Sequence, residues 1–361
     1  MRNVAPSRLG RTPSGRRPDF PATRLAAGAV AAGLLFFGIT ACSSSSPGSG
    51  GSDPSANTSA NAASVASVTL NVGDQAGAGA EALLTAAGLI NKLPFKVHWS
   101  DFTSGPPMLQ AMGSGSVDIG EVGDAPPVFE ASAGGQIALV SALGADINGS
   151  ALLVPDNSPI KSVAQLKGKT VAVSQGSSAN YHLLATLTKA GLTIKDITPD
   201  YLQPAEAEAA FASGHVDAWD IWSPYIEYAE AKYHARLLVN GSTTGTTYSF
   251  VVASRSALAN PAKAAAIRDY LKLLDQAYTW VSSHPSAWAA TWAKATGMPA
   301  SVMDQAVKDD IDAPTPITPA VISSEQGVAN AFSSAGLIPS KVDISDYAVT
   351  TFNSLLSGSS S

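Results

Sequence analysis

The sequence predicts an α/β protein of two lobes, each a mostly parallel sheet flanked by helices, with a cleft between the lobes. Short strand-like runs alternate with helical patterns from about residue 68 to 142, and the same rhythm restarts near Val163. A β-α-β succession of this kind indicates parallel strands with helices on the faces of the sheet. Beyond Ala253 the chain reads as nearly all helical. Because ligands of open α/β sheets bind beyond the carboxyl ends of strands, the expected site is the cleft.

The predicted domain organisation follows from these shifts in pattern. We expect crossings between the lobes at Ala151–Val154 and at Ser249–Ala253. The predicted segments are a leader (1–41), a tether (42–64), the first part of lobe 1 (65–154), lobe 2 (155–248), a helical second part of lobe 1 (249–355) and a disordered tail (356–361).

The first 41 residues have the order of an export signal. Six arginines and one acid come first, and an apolar run then extends from residue 25 to the small residues before Cys42. The run is shorter than the ~20 apolar residues of a membrane span. Ile39-Thr40-Ala41-Cys42 resembles the bacterial lipobox, which implies that Cys42 carries a diacylglyceryl anchor on the outer face of the cell membrane. The pair Arg16-Arg17 leaves the export route open between Sec and twin-arginine.

The body that follows is acidic and lacks cysteine. Residues 43–64 are rich in Ser, Gly, Ala and Asn, a composition that predicts a flexible tether. Without residues 1–41 the chain keeps 16 basic and 27 acidic residues, which argues against nucleic acid as a partner. Cys42 is the single cysteine, so an intrachain disulfide is excluded.

Three loops between a predicted strand and a predicted helix stand out as anion-binding elements. They are Thr103–Pro107, Gly123–Pro127 and Ser174–Ser178, and each combines glycine or small polar residues with a helix start. Helix N-termini present free N–H donors and a positive dipole end, which suit anions. Ser177 and Ser178 add hydroxyl groups. For any one loop, simple helix capping remains the alternative.

Signatures of catalysis are missing from the sequence. It contains no G-x-S-x-G, no H-E-x-x-H and no Walker loop, and its five histidines have no metal-like spacing. We therefore expect no catalytic residues, no metal site and no cofactor. The block from His215 to Tyr225 carries Trp219 and Trp222 off a strand, and we expect one of the two tryptophans in the cleft and the other in the core.

Four segments together resemble one protein family. They are FTSGPPMLQAMGSGSVDIGEVGDAPPVFEASAGG (102–135), NSPIKSVAQLKGKTVAVSQGSSANYHLLATLTKAGL (157–192), GHVDAWDIWSPY (214–225) and the tail containing GLIPSKVDI (336–344). They resemble the aliphatic sulfonate-binding proteins of ABC importers, a family shared with taurine- and nitrate-binding relatives. The resemblance spans about residues 68–346. It implies a type II periplasmic-binding fold, a monomer that delivers its ligand to a membrane permease, and no enzymatic activity.

The resemblance also implies which residues face the ligand. Three residues depart from the sulfonate pattern, since Asp74, Glu121 and Asp220 add carboxylates near the expected cleft. Such carboxylates would repel a simple anion and would suit a ligand that bears an amino group, and Glu121 and Asp220 are the two expected to face that group. The expected ligand-binding positions are Gln75, Ser104, Gly105, Gly123, Asp124, Ser177, Ser178, Trp219 and Asp220.

Several functions therefore stay open at this point. The expected ligand is an aliphatic sulfonate or a closely related small anion or zwitterion. A taurine-like amine, nitrate or a thiamine precursor are alternatives within transport. An alternative of another class is an enzyme like the pyrimidine-precursor synthases, which the resemblance includes among relatives of the fold.

Overall fold

The computed structural model describes residues 65–75, 79–146, 149–243, 245, 247–309 and 313–356. The predicted leader, the tether and Cys42 lie outside the described residues, as does the predicted tail after Leu356. Within the described ranges, no helix is long and apolar enough to cross a membrane.

The first sheet forms lobe 1 and has six strands in the order β11-β4-β10-β3-β1-β2. Strands β1, β2 and β3 pair in parallel, whereas β10 and β11 pair antiparallel with their neighbours. The strands are β1 (Thr69–Gln75), β2 (Lys96–Phe102), β3 (Ile119–Val122), β4 (Ile137–Asp146), β10 (Thr247–Ser254) and β11 (Pro314–Thr315).

The second sheet forms lobe 2 and has five strands in the order β7-β6-β8-β5-β9. Strand β6 pairs in parallel with β7 and β8, whereas β5 pairs antiparallel with β8 and β9. The strands are β5 (Ser150–Pro155), β6 (Thr170–Val173), β7 (Thr198–Tyr201), β8 (Ala218–Trp222) and β9 (Ala235–Asn240). The α/β class with two lobes is confirmed. Both sheets are mixed instead of mostly parallel, because the chain enters each sheet from a crossing in the reversed direction at β5 and β10.

Helices cover both sheets, and most begin where the sequence predicts. Those of the first part of lobe 1 are α1 (Ala80–Ala86), α2 (Gly105–Gly113) and α3 (Ala125–Ser132), and those of lobe 2 are α4 (Ser178–Lys189), α5 (Pro204–Ala212) and α6 (Tyr225–Tyr233). The helical C-terminal part is confirmed and comprises α7 (Arg255–Ala259), α8 (Pro261–Ser283), α9 (Pro285–Thr296), α10 (Ala300–Asp309) and α11 (Pro319–Ser334).

The crossings between the lobes lie away from their predicted positions. Ala151–Val154 is fully buried within β5 and Ser249–Ala253 belongs to β10, so both segments are sheet strands. The first crossing therefore precedes Ser150, and the second lies between Asn240 and Thr247. Lobe 2 thus begins before Ser150 and not at residue 155. Both segments are apolar, and they were predicted to be crossings. An apolar run is required in a strand buried in the core more than in a crossing between lobes.

Helix α8 shows how the sequence sets the core of lobe 1. The side chain of Asn260 accepts hydrogen bonds from the N–H groups of Ala262 and Lys263, and Pro261 occupies the first turn. The helix ends at His284, since Pro285 disfavours helical geometry in the residue before it. Its buried face includes Ile267, Tyr270, Leu271, Leu274 and Val281. Full burial of one such leucine contributes about 1.5–3 kcal/mol. This packing fixes α8 over β1 and β3.

Candidate functional site

A cavity that is open to solvent lies between the two lobes and is lined by both of them. Six of the nine predicted ligand-binding residues line this cavity, namely Gln75, Gly105, Gly123, Asp124, Ser177 and Ser178. The other three lie elsewhere, namely Ser104, Trp219 and Asp220. The predicted loops therefore do meet in one place, although not every residue in them faces it.

Three helix N-termini converge on the cavity. Helix α2 begins at Gly105, α3 follows Asp124 and α4 begins at Ser178, each shortly after the carboxyl end of a strand. The first-turn N–H groups of a helix lack partners within the helix and carry the positive end of its dipole. Prolines leave α2 with the N–H of Gly105 in its first turn, and the Ala125 N–H of α3 is bound by Asp124, so α2 and α4 supply the free donors and α3 contributes its dipole end. Gly105 allows the loops to approach closely, because a Cβ there would lie 2.6 Å from Cγ of Pro126. The convergence makes this end of the cavity suitable for an anionic head group.

The two serines at the start of α4 have different tasks. The Ser177 hydroxyl donates to the Ser174 carbonyl at 2.6 Å and accepts from the Asn180 N–H at 3.3 Å, so it caps the helix. The Ser178 hydroxyl has no hydrogen-bond partner among the described residues, and it lies at the cavity beside Gly123. A Cβ on Gly123 would lie 1.8 Å from Ser178 Oγ. Ser178 is thus the hydroxyl that remains for a ligand.

Ser104 lies behind the cavity wall and joins the two lobes. It is fully buried, and its hydroxyl donates to Gln203 Oε1 at 2.8 Å. The hydroxyl of Thr103 donates to the same oxygen at 2.9 Å. Thr103 and Ser104 follow β2 in lobe 1, whereas Gln203 precedes α5 in lobe 2. We call this three-residue contact the Gln203 bridge.

Of the two tryptophans in β8, Trp222 lines the cavity and Trp219 does not. Trp219 is fully buried in the core of lobe 2, with its ring 5.8 Å from that of Phe211 and 6.5 Å from that of Tyr225. Side chains alternate between the faces of a strand, so residues three apart point to opposite sides. The expectation of one tryptophan on each side is met. The assignment of the ligand role to Trp219 is wrong in position, since Trp222 has that place.

The side chain of Asp220 lies on the same face of β8 as that of Trp222, but its carboxylate is already paired with a histidine. Both oxygens lie within hydrogen-bond distance of His182 Nδ1, at 2.9 and 3.0 Å, and both residues are buried. On the other side of the ring, Nε2 faces the Asn240 carbonyl at 3.1 Å. Two acceptors on opposite sides of one imidazole are satisfied together when both ring nitrogens carry protons. Asp220 therefore does not face the cleft, and the expectation that it contacts a ligand amine is corrected.

His182 lines the cavity beside Ser178 and brings positive charge to the anion end. Burial opposes that charge, but the carboxylate of Asp220 and the carbonyl of Asn240 outweigh it and raise the pKa of His182. Asp124, which lines the same end, acts in the same direction. The Asp124 carboxylate itself accepts the Ala125 N–H at 2.7 Å and so caps α3. No local signal in the sequence distinguishes His182, because its partner lies 38 residues away.

The other two acidic residues that depart from the family pattern, Asp74 and Glu121, have different positions relative to the cavity. Asp74 is buried, and its carboxylate accepts the N–H groups of Gln75, Ala80 and Glu81 at 2.8–3.0 Å. It is therefore a helix-capping residue. Glu121 lines the cavity. Its backbone carbonyl accepts from Gln75 Nε2 at 2.6 Å, which fixes the predicted site residue Gln75 against β3.

Aromatic side chains form much of the remaining wall. Trp288 and Trp292 of α9 stack with ring centroids 5.4 Å apart and line the cavity with Trp222, Tyr181, Tyr248 and Tyr278. These residues are not among the site residues predicted from the sequence. The spacing of four between Trp288 and Trp292 on a predicted helix was the available signal, since such residues share one helix face. These walls suit a ligand with an apolar body.

The comparisons with known proteins agree with this fold and cleft. The family described as NMT1/THI5 like matches residues 104–288. A putative aliphatic sulfonates-binding protein of Escherichia coli is 38% identical over 295 residues, 80% of this chain and 91% of that protein. A Bacillus subtilis protein of the same description is 30% identical over 257 residues, 71% of this chain and 77% of that protein.

A solved structure gives the same result. The alkanesulfonate-binding protein SsuA from Xanthomonas axonopodis pv. citri, bound to MOPS, has a TM-score of 0.74 and 34% identity, and the match covers 78% of this chain and 98% of that one. The fold is thus that of the periplasmic binding proteins. The chain belongs to the NMT1/THI5-like family, within which it is similar to proteins described as binding proteins.

Proposed function

We propose that this chain is the substrate-binding component of an ABC importer and that it binds an aliphatic sulfonate or a closely related small anion or zwitterion. The observation that carries the proposal is the convergence of three helix N-termini and the Ser178 hydroxyl on one cavity between the lobes. A sulfonate is a fixed anion with acceptor oxygens only, so N–H and O–H donors match it. The aromatic wall would cover the carbon body of the ligand. The names of the E. coli and B. subtilis relatives support the same ligand class.

The proposed activity is binding and release, without chemistry on the ligand. Among the described residues, no group of three or more His, Cys, Asp or Glu side chains is placed to hold a metal ion. Incubation of the purified protein with ethanesulfonate, followed by mass spectrometry, tests this part directly. We expect full recovery of unchanged ethanesulfonate, and a time-dependent loss of it would contradict the proposal.

Replacing Ser178 by alanine should weaken ethanesulfonate binding about 10- to 150-fold, because a hydrogen bond to a charged group contributes about 1.5–3 kcal/mol. Isothermal titration calorimetry measures the change. Ser177→Ala is the matched control one residue earlier. Its hydroxyl caps α4, so its loss should cost about 0.5–2 kcal/mol of stability, measured by urea unfolding, with a smaller change in affinity. Equal affinity losses for both variants would place the ligand away from the Ser178 hydroxyl.

We further propose that the chain is exported and anchored by lipid at Cys42. The support lies in the basic, apolar and small-residue order that ends at Ile39-Thr40-Ala41-Cys42. A tether of the composition of residues 43–64 would then keep the acidic, monomeric body near its permease while leaving it free to turn.

Replacing Cys42 by alanine should release the body from the membrane or leave a precursor of higher mass. A cysteine thiol is the group that accepts the lipid, and alanine cannot replace it. Fractionation of cells with immunodetection of the body, together with the mass of the mature protein, measures the result. If the variant stays in the membrane fraction with normal processing, the anchor lies elsewhere.

A further inference from the structure

The ligand class can be narrowed by following the three extra carboxylates near the cleft. Asp74 accepts hydrogen bonds from three backbone N–H groups, and the carboxylate of Asp220 is paired with His182. Neither lines the cavity, whereas Glu121 does. The question raised by the acidic residues therefore reduces to one side chain on β3.

Glu121 is buried, with 6% of its surface exposed, and only one of its two carboxylate oxygens has a partner among the described residues. Oε2 accepts a hydrogen bond from the Tyr278 hydroxyl at 2.6 Å. Oε1 is buried and has no hydrogen-bond partner in the part of the chain that the structure describes. An unsatisfied buried acceptor is costly, so a ligand that brings a donor to this oxygen gains that contact.

The surroundings of Glu121 favour a cationic donor over a neutral one. Tyr278 contacts the carboxylate directly, and Trp288 and Trp292 line the same cavity as Glu121. Aromatic faces attract ammonium groups, and a carboxylate pairs with them.

We infer that the preferred ligand is a zwitterionic sulfonate whose carbon chain ends in an N–H-bearing ammonium group, and that Glu121 Oε1 accepts a hydrogen bond from this ammonium. This inference rests on the proposed function, because it assumes that the sulfonate lies at the three helix N-termini. Glu121 then determines specificity, and the anion end supplies affinity for every sulfonate.

The charge of Glu121 depends on pH in the neutral range. Burial raises its pKa to about 7, the Tyr278 hydrogen bond acts against this, and the charge of Asp74 adds to it. The other titratable group that faces it is Tyr270, a buried phenol whose pKa is raised well above 10 by burial and by these two carboxylates. An alkylammonium ionises near pH 10, as lysine does, and stays charged. Across neutral pH, therefore, Glu121 changes charge while the ammonium does not. His182, whose pKa is also raised, lies at the anion end, where it acts on both members of a matched pair.

Calorimetry on the full body with two matched pairs of probes tests the inference. The pairs are taurine with ethanesulfonate, and 3-aminopropanesulfonate with 1-propanesulfonate. In the wild type at pH 8, at least one amine should bind about tenfold or more tightly than its matched alkane. Glu121→Gln keeps the shape and should abolish this preference while leaving alkanesulfonate affinity equal or higher, because a like charge is removed. Glu81→Gln, an exposed change of the same kind in lobe 1, should leave the preference intact.

The pH dependence of ligand affinity distinguishes a direct ligand contact by Glu121 from a purely structural role. The ratio of amine to alkane affinity should rise between about pH 6 and about pH 8 as Glu121 ionises, and Glu121→Gln should make it flat. Tyr278→Phe leaves Glu121 Oε1 in place, so this variant should retain the preference for the amine. It provides a second measurement if Glu121→Gln folds poorly.

The outcomes separate the two levels of the proposal. If the wild type binds alkanesulfonates and amines equally at every pH, or if Glu121→Gln weakens both alike, the amine contact is overturned and the sulfonate proposal stands. If the wild type binds neither pair, the proposed function itself fails.

Discussion

Replacing Asp220 by alanine should lower the free energy of unfolding by about 3–5 kcal/mol, the cost of removing one partner from a buried ion pair. The variant leaves the His182 ring buried with its Nδ1 unpartnered, because both oxygens that face this atom belong to Asp220. Urea unfolding of the body measures the change. Asp156→Ala, an exposed carboxylate in the same lobe, should change the free energy by about 0.5 kcal/mol or less.

The size of this effect should depend on pH in a defined direction. His182 has a raised pKa in the folded protein, so its stabilising contribution is fully present below the unfolded pKa of about 6.5 and is lost as pH rises through the folded value. The difference between wild type and Asp220→Ala should therefore be larger at about pH 6 than at about pH 9. Asp220→Asn keeps an acceptor without the charge and should fall between the two. A loss below about 1 kcal/mol for Asp220→Ala at pH 6 would show that the pair is not held as described.

The second large effect is expected at Gly123, where lobe 1 touches lobe 2. A Cβ at this position would lie 1.8 Å from Ser178 Oγ and 3.1 Å from Ser178 Cβ. Gly123→Ala should therefore weaken ethanesulfonate binding about a hundredfold, because the Ser178 hydroxyl is displaced and the lobes are overpacked. The ligand-free protein should lose little stability, since the lobes can part to relieve the contact.

A double variant provides the control. Gly123→Ala combined with Ser178→Gly removes both clashing atoms, so its affinity should return to that of Ser178→Ala and no further. Calorimetry on the wild type and these variants decides the matter. If Gly123→Ala binds ethanesulfonate like the wild type, or if the double variant binds it more weakly than Ser178→Ala does, the lobes do not meet at Gly123 as described when ligand is bound.

The helix starts that build the anion end could be predicted from sequence because their signals are local. A glycine or serine with a following proline or small residue marks the end of a strand and the start of a helix, as at Gly105 and Asp124. The side on which a residue faces is less accessible. Trp219 and Trp222 differ only by the alternation of β8, and the first residue of a strand is the least certain part of a prediction.

Contacts between distant segments could not be predicted at all. No sequence pattern near Asp220 predicts that its carboxylate pairs with His182. Likewise, no pattern near Glu121 predicts that Tyr278, 157 residues later, donates a hydrogen bond to one of its oxygens. The same holds for Trp288 and Trp292, which α9 brings to the cavity from the C-terminal part of the chain. The sequence therefore shows that Asp74, Glu121 and Asp220 depart from the family pattern, but only their tertiary contacts distinguish their roles.

The Gln203 bridge separates how tightly this protein binds from what it binds. Its two hydroxyl donors meet one amide oxygen across the lobes without involving any ligand atom. Such a contact raises the population of the joined conformation, and the apparent dissociation constant of every ligand falls in inverse proportion to that population, by the same factor for each ligand. Drift at Thr103, Ser104 or Gln203 during evolution would thus tune the concentration range of the importer while its choice among ligands stays unchanged.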